Sequence, residues 1–334
     1  MTMTERLSEQ QIRDRLAAIA HRLVPDASGI HGLERLTGGA SMETWAFAAG
    51  DDALILRRRA EPAEPAEPAA SLAREARVIE AAVAAGVPAP EVVRICPPAD
   101  GLGDAYVMRR LAGETLGRRI ATDAAFAPAR ARLARQCGAA LAHIHATPPP
   151  AGLETIDAAA TLARYERTWR ESGAVRPTIE AAFRWLEVRL PSAPVAMRLV
   201  HGDFRNGNLM VDPHSGLVAV LDWELTHIGD PAEDIGWICA NSWRFGQPGH
   251  RVGGFGNLDD LLAGYRDAGG EVIDPLRIDL WQMIGSLKWG VMTTLMHASF
   301  AADPSIGPER AVIGRRLSEA EADIVAIIER SARQ

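Results

Sequence analysis

The sequence predicts an α+β fold in two lobes, a small strand-rich N-terminal lobe and a larger helical C-terminal one. Three observations predict it. The first 111 residues hold about five short apolar runs separated by glycine turns, with only one or two helix-spaced segments. After Gly113 the apolar spacing becomes helical and stays so over most of the remaining chain. A chain of 334 residues, 47% hydrophobic and 24% charged, can bury a core of about two domains, which excludes wholesale disorder. The expected division is 1–111 and 112–334, with a hinge at about 108–113.

Taken in order, Leu7, Ile12, Leu16, Ile19 and Leu23 have helical spacing within residues 5–23. From Leu33 the pattern is strand, the Gly38-Gly39 turn, a strand at about 44–49, the Gly50-Asp-Asp52 turn and a strand at about 53–58. Proline at every third place in Glu61–Pro68 forbids helix and suits an exposed extended loop. Ser71 is a candidate N-cap for a helix over 72–85, which Gly86-Val-Pro88 stops. Residues 91–95 and 105–111 read as two further strands. Leu133, Cys137, Leu141 and Ile144 share one helix face ahead of Pro148-Pro-Pro150. Further helices are expected at 158–171, 176–190, 258–268, 275–297 and 318–332.

The net charge of −7 argues against general nucleic-acid binding. Three well-separated cysteines with no C-x-x-C spacing argue against a disulfide framework or a cysteine-rich zinc site. The first residues lack the apolar run of a signal peptide, and no stretch of 18 apolar residues offers a membrane span. The expected location is therefore the cytoplasm. Of 36 basic residues only Lys288 is a lysine, so nearly every cationic role falls to arginine.

The sharpest chemical signal is Leu199-Val-His-Gly-Asp-Phe-Arg-Asn-Gly-Asn-Leu-Met-Val211, followed by Val218-Ala-Val-Leu-Asp-Trp-Glu224. Two apolar runs flank a polar loop carrying His201, Asp203 and Asn208, and Asp222 stands at the end of the second run. Any one of these residues alone would more often cap a turn. As an ordered set they form a hard-oxygen cluster suited to Mg²⁺ bridging nucleotide phosphates.

The pattern H-G-D-x-x-x-x-N with a later apolar-D resembles the aminoglycoside phosphotransferase/choline kinase superfamily, which has a protein-kinase-like fold. Within it the chain is most similar to phosphotransferase domains fused to acyl-CoA dehydrogenases, over about residues 30–330. The resemblance implies a five-stranded antiparallel N-lobe, a helical C-lobe, ATP and Mg²⁺ as cofactors, and phosphoryl transfer to a hydroxyl of a small molecule. Asp203 becomes the catalytic base, Asn208 and Asp222 the metal ligands, and His201 a brace of the loop. Gly38, Gly39 and Ser41 resemble the family's G-G-x-S phosphate loop, although a glycine pair alone is usually a hairpin turn.

The resemblance also places Arg57 where relatives often carry a lysine on the third strand, with Glu75 as its helix partner. Arg58 and Arg59 are rival candidates, of which strand alternation puts Arg58 on the opposite face from Arg57. Met108 would border the adenine, and the backbone of Arg109 and Leu111 would bond its edge. Asp230 would shape a turn and Asp234 brace the catalytic loop, while His143 and His145 read as helix-end packing rather than metal ligands.

For the acceptor, residues 241–334 hold 12 acidic and 10 basic residues, which is no polycation-catching surface. Trp237, Trp243, Phe245, Trp281 and Trp289 gather in this stretch and its approach, with Arg244 beside them. Trp281, Ile284, Lys288, Trp289 and Met292 share helical spacing, as a core face or as an apolar acceptor pocket with a cationic anchor. The second alternative suits a hydroxylated organic acid or acyl compound. An antibiotic kinase and a nucleotide-binding pseudokinase are the rival readings.

Overall fold

The computed structural model describes residues 7–38, 42–60, 71–191 and 195–333. Gly39, Ser41 and the proline-spaced run 61–68 lie outside the described residues. Ser8 caps α1 (Glu9–Ala18) through a reciprocal box with Gln11, and α2 (Ala20–Leu23) continues it. Then come β1 (Ile30–Gly38), β2 (Met42–Ala49) and β3 (Asp52–Arg59). Ser71 caps α3 (Leu72–Ala84) by accepting from the Arg74 amide. With β4 (Val92–Ile95) and β5 (Ala105–Arg109) the strands form one antiparallel sheet in the order β1-β2-β3-β5-β4. Its last strand stops at Arg109, two residues short of expectation.

The remainder is dominated by helices: α4 (Gly117–Thr122), α5 (Ala127–Ala146), α6 (Ala158–Ser172) and α7 (Pro177–Glu187). A short β segment interrupts them. β6 (Arg198–Val200) pairs with β9 (His227–Gly229), and β7 (Leu209–Asp212) pairs with β8 (Gly216–Val220). α8 (Ala232–Cys239), α9 (Leu258–Asp267), α10 (Pro275–Ala302), α11 (Glu309–Gly314) and α12 (Leu317–Ser331) follow. Helix α10 extends five residues beyond the expected 297, and β9, α4, α8 and α11 were not anticipated. These elements are short, three to eight residues, and carry no full period of their own.

One core fills the sheet lobe from α1 and α2, with Ile12, Leu16, Leu54 and Leu56 buried. A second runs from α3 and Tyr106 through α5 to α10, so it underlies both lobes. The lobes are also joined by backbone, where the Val220 amide donates to the Pro88 carbonyl at 2.8 Å, and just beyond residue 111 the Glu114 and Val211 amides donate to each other's carbonyls at 2.9 Å.

Helices α5 and α9 touch along their backbones. A Cβ on Gly138 would lie 2.0 Å from the Leu261 carbonyl oxygen, and one on Gly264 would lie 2.0 Å from that of Arg135. Neither neighbour is a flexible side-chain end, so the helices would have to separate. Gly138→Ala is expected to destabilise the protein by about 1–3 kcal/mol or more, read as a lowered midpoint in urea unfolding.

Candidate active site

The loop between β6 and β7 is held from below by one carboxylate. Asp234, on the first turn of α8, accepts the His201 amide at 2.8 Å on one oxygen and the Gly202 amide at 2.9 Å on the other. His145 of α5 adds its Nε2 at 3.2 Å, with its Nδ1 2.9 Å from the Tyr265 hydroxyl. Burial pushes the Asp234 carboxyl up, but the His145 bond and the His201 amide outweigh it and hold the group below the usual carboxylate range. Gly202 has φ +77°, and a Cβ there would lie 2.4 Å from the Leu225 carbonyl oxygen, so the loop requires glycine. His143 is likewise structural: its ring bonds the Ala85 carbonyl past the end of α3.

His201 braces the loop through its ring. Its Nε2 lies 3.1 Å from the Leu221 carbonyl and its Nδ1 accepts the Asp203 amide at 3.2 Å, which assigns the Nε2–H tautomer. Burial lowers its basicity against the pull of Asp234, Asp203 and Asp222.

Asp203 then projects from the loop with both oxygens engaged. Oδ1 accepts the Trp237 indole N–H at 2.7 Å, Oδ2 accepts the Asn208 amide nitrogen at 2.7 Å, and Arg205 Nε lies 3.1 Å from each. Because Asn208 directs its nitrogen to Asp203, its side-chain oxygen is the atom left for a cation. The Leu221 amide donates to the Asn208 carbonyl at 2.8 Å, which ties Asn208 to the residue before Asp222. Asp222 has φ +67°, a strained conformation for a non-glycine residue and one that gathers at functional sites. A carboxamide oxygen and one carboxylate fit Mg²⁺, which takes one or two protein carboxylates and completes its shell from phosphates and water.

Across the cleft, Arg57 of β3 reaches three carboxylates. Its Nε lies 3.5 Å from Glu75, and its Nη2 lies 3.1 Å from Asp222 and 3.4 Å from Glu224. Tyr106 donates to Glu75 at 3.0 Å. Burial pushes Glu75 up to about 7 despite Arg57 and Tyr106, which favour its charged form. Arg58 points the other way into the sheet lobe, where it pairs with buried Glu43 at 2.6 Å. It is therefore a core ion pair and no rival to Arg57.

These side chains line a cleft of about 550 Å³ with Met42, Tyr106, Met108 and Trp223. Of the sequence candidates, Arg57, Glu75, Met108, Asn208 and Asp222 meet there. Gly38 ends β1, while Gly39 and Ser41 lie outside the described residues. The Arg109 side chain turns away to Asp52 at 2.5 Å, and its amide donates to the Glu91 carbonyl at 2.9 Å. Leu111 follows the end of β5.

A second cavity of about 390 Å³ reaches the same loop at Gly202. Gly202, Leu225 and Trp237 form its inner end, Trp281, Ile284, Lys288 and Met292 come from α10, and Arg164 and Tyr165 from α6. The Lys288 ammonium stands 4.7 Å from the centre of the Trp237 ring and 3.5 Å from the Gly202 carbonyl. The expected aromatic face divides here. Trp289 is one position round the helix and packs with Trp243 and Ala320 in a small core cluster that Trp237 joins from the cavity side, while Arg244 bonds the Cys239 carbonyl and Asp323.

A five-stranded antiparallel sheet followed by a mainly helical remainder is the kinase-like phosphotransferase fold. The chain belongs to the APH phosphotransferase enzyme family, whose model matches residues 32–278. Among curated proteins it is similar to acyl-CoA dehydrogenase family member 10 of Mus musculus, 28% identical over 210 residues, covering 60% of this chain and 19% of that one. Acyl-CoA dehydrogenase family member 11 of Gallus gallus is 30% identical over 222 residues, covering 63% and 28%. The chain thus spans less than a third of the length of these relatives. Its fold resembles spectinomycin phosphotransferase solved with ADP and spectinomycin, with a TM-score of 0.66, 11% identity and coverage of 97% and 99%.

Sequence reasoning missed Arg205, Tyr106 and Trp237 as partners of the candidate residues. Arg205 had a signal, two positions after Asp203; Trp237 had none, because it arrives from a different helix. The burial of Glu75 gives a pH test. Its pKa is raised from the ordinary 4.5 to about 7, so the folded state binds the proton more tightly and loses stability as pH rises across that window. Glu75→Gln should therefore gain on the parent by about 1–3 kcal/mol between those limits, measured by urea unfolding without nucleotide. An unchanged difference between the two proteins would refute the assignment.

Proposed function

We propose that the chain is an ATP- and Mg²⁺-dependent kinase that phosphorylates a hydroxyl of a small hydroxylated organic acid or acyl compound. The observation that carries this reading is that the loop bearing Asp203 reaches both cavities: Asn208, bonded to Asp203 Oδ2, lines the cleft, and Trp237, bonded to Asp203 Oδ1, lines the apolar-walled cavity. The division of labour between residues up to 111 and those beyond follows from it, with the hinge between cleft walls.

Adenine would lie beside Met108, bonded through the Arg109 carbonyl and the Leu111 amide. Arg57, permanently charged and steadied by Glu75, would hold phosphate oxygens with its remaining donors. Gly38, Gly39 and Ser41 would cover the phosphates from β1. Asn208 and Asp222 would hold Mg²⁺, which when bound neutralises charge on the β- and γ-phosphoryl oxygens. The acceptor hydroxyl oxygen bonds to the γ-phosphorus as its bond to the β-bridging oxygen breaks, and Asp203 takes the hydroxyl proton. Catalysis is then positioning and charge stabilisation, with little covalent work for the protein.

Lys288 and Arg164 favour an acceptor bearing an anion, and Trp281, Ile284 and Met292 favour an apolar body. A polycationic antibiotic would meet two cations here and one acid, Glu233, which His227 already engages at 3.2 Å, and this counts against an aminoglycoside acceptor. The Arg57–Glu75 pair and the Asp203–Asn208–Asp222 arrangement count against a pseudokinase.

Screening hydroxy acids and their thioesters for ATP-dependent phosphate transfer tests the reading directly. Asp203→Asn should lower transfer by ~10²–10⁴-fold while calorimetry shows nucleotide binding preserved. Near-parental turnover would remove Asp203 from its role. Lys288→Met keeps the stem's bulk but deletes the charge, and should raise the acceptor KM by about tenfold or more with the ATP KM unchanged. An unaltered acceptor KM would exclude Lys288 as the anchor.

A further inference from the structure

The geometry points to Trp237 as a positioning residue that fixes the Asp203 carboxylate for proton transfer, an inference resting on the reading of Asp203 above. Indole nitrogen is a donor only, and here it meets an ionisable oxygen at 2.7 Å, the length of a charge-assisted bond. Trp237 stands three residues after Asp234 on α8, so both fall on one helix face. One turn of α8 thus holds the loop backbone through Asp234 and the working carboxylate through Trp237.

The ring has little room to turn. A Cβ on Gly285 of α10 would lie 2.7 Å from the Trp237 ring, Trp243 packs edge-on at 5.1 Å between centres, and Lys288 covers a face. The donor is therefore set by helix packing before any acceptor arrives. Packing alone does not require its N–H. Among the described residues, the buried indole nitrogens of Trp243 and Trp289 in the same cluster have no hydrogen-bond partner. Arg205 and Asn208 also hold Asp203, but both sit on the loop that carries it. Trp237 is the donor that relates the carboxylate to the helical scaffold and to the cavity wall.

Trp237→Phe keeps the ring and deletes the donor. The probe is MgATP turnover with water standing in for the acceptor hydroxyl. We expect kcat to fall by about tenfold with the KM for MgATP within about twofold and melting unchanged. In the Asp203→Asn background Trp237→Phe should cause no additional loss, because the two act as one unit. Trp289→Phe should leave turnover intact. Independently of activity, the Trp237 indole proton should resonate downfield and move upfield in Asp203→Ala, while that of Trp289 stays. Parental kcat in Trp237→Phe, equal losses in both backgrounds, or an indole resonance indifferent to Asp203 would each overturn the inference. Full turnover by Asp203→Asn, with the indole resonance still linked to Asp203, would instead overturn the underlying reading and leave the contact standing. Should Trp237→Phe fail to fold, the resonance in Asp203→Ala decides.

Discussion

The buried Asp234 carboxylate is the interaction on which the loop between β6 and β7 depends. Its two oxygens gather the amides of His201 and Gly202 and the ring of His145, so one charge is satisfied by three donors from two elements. Removing it would leave two buried amides without an acceptor, at about 1–3 kcal/mol each. More important for function, the loop would lose its reference point. His201 places the Asp203 amide, and Gly202 turns the chain against Leu225.

The opposite wall of the cleft is organised around a cation. Arg57 draws together Glu75 from α3 and the pair Asp222 and Glu224 beyond β8. A guanidinium can serve several anions at once because its donors diverge in a plane, whereas an ammonium is a compact point charge. An arginine here joins the sheet lobe to Asp222 and Glu224 directly, which gives the two lobes an electrostatic contact besides the backbone bond from Val220 to Pro88. The neighbouring Arg58, one residue along the strand, does a wholly different job inside the sheet lobe.

The parts of this arrangement that were legible in sequence are those fixed by local pattern. Strand alternation separated Arg57 from Arg58, the Ser71 cap and the proline stop bounded their helices, and the spacing of Asp203, Asn208 and Asp222 marked the loop. The short elements β9 and α8 were not legible, because three to eight residues in a fully buried setting show no periodicity. The long-range partners were invisible for another reason. Trp237 meets Asp203 across 34 positions, and Tyr106 meets Glu75 across 31, so neither contact leaves a spacing signature. The α10 face was read as a single stripe, yet one residue of rotation sends Lys288 to the cavity and Trp289 to the core.

The scarcity of lysine has a practical side. The chain carries one ε-amino group, and it stands in the cavity over the ring of Trp237, whose N–H bonds Asp203. An acylating or imine-forming reagent has no other lysine to find. Covalent labelling of this side chain would therefore report on one wall of one cavity, and any molecule that shields it from the reagent would reveal itself as an occupant.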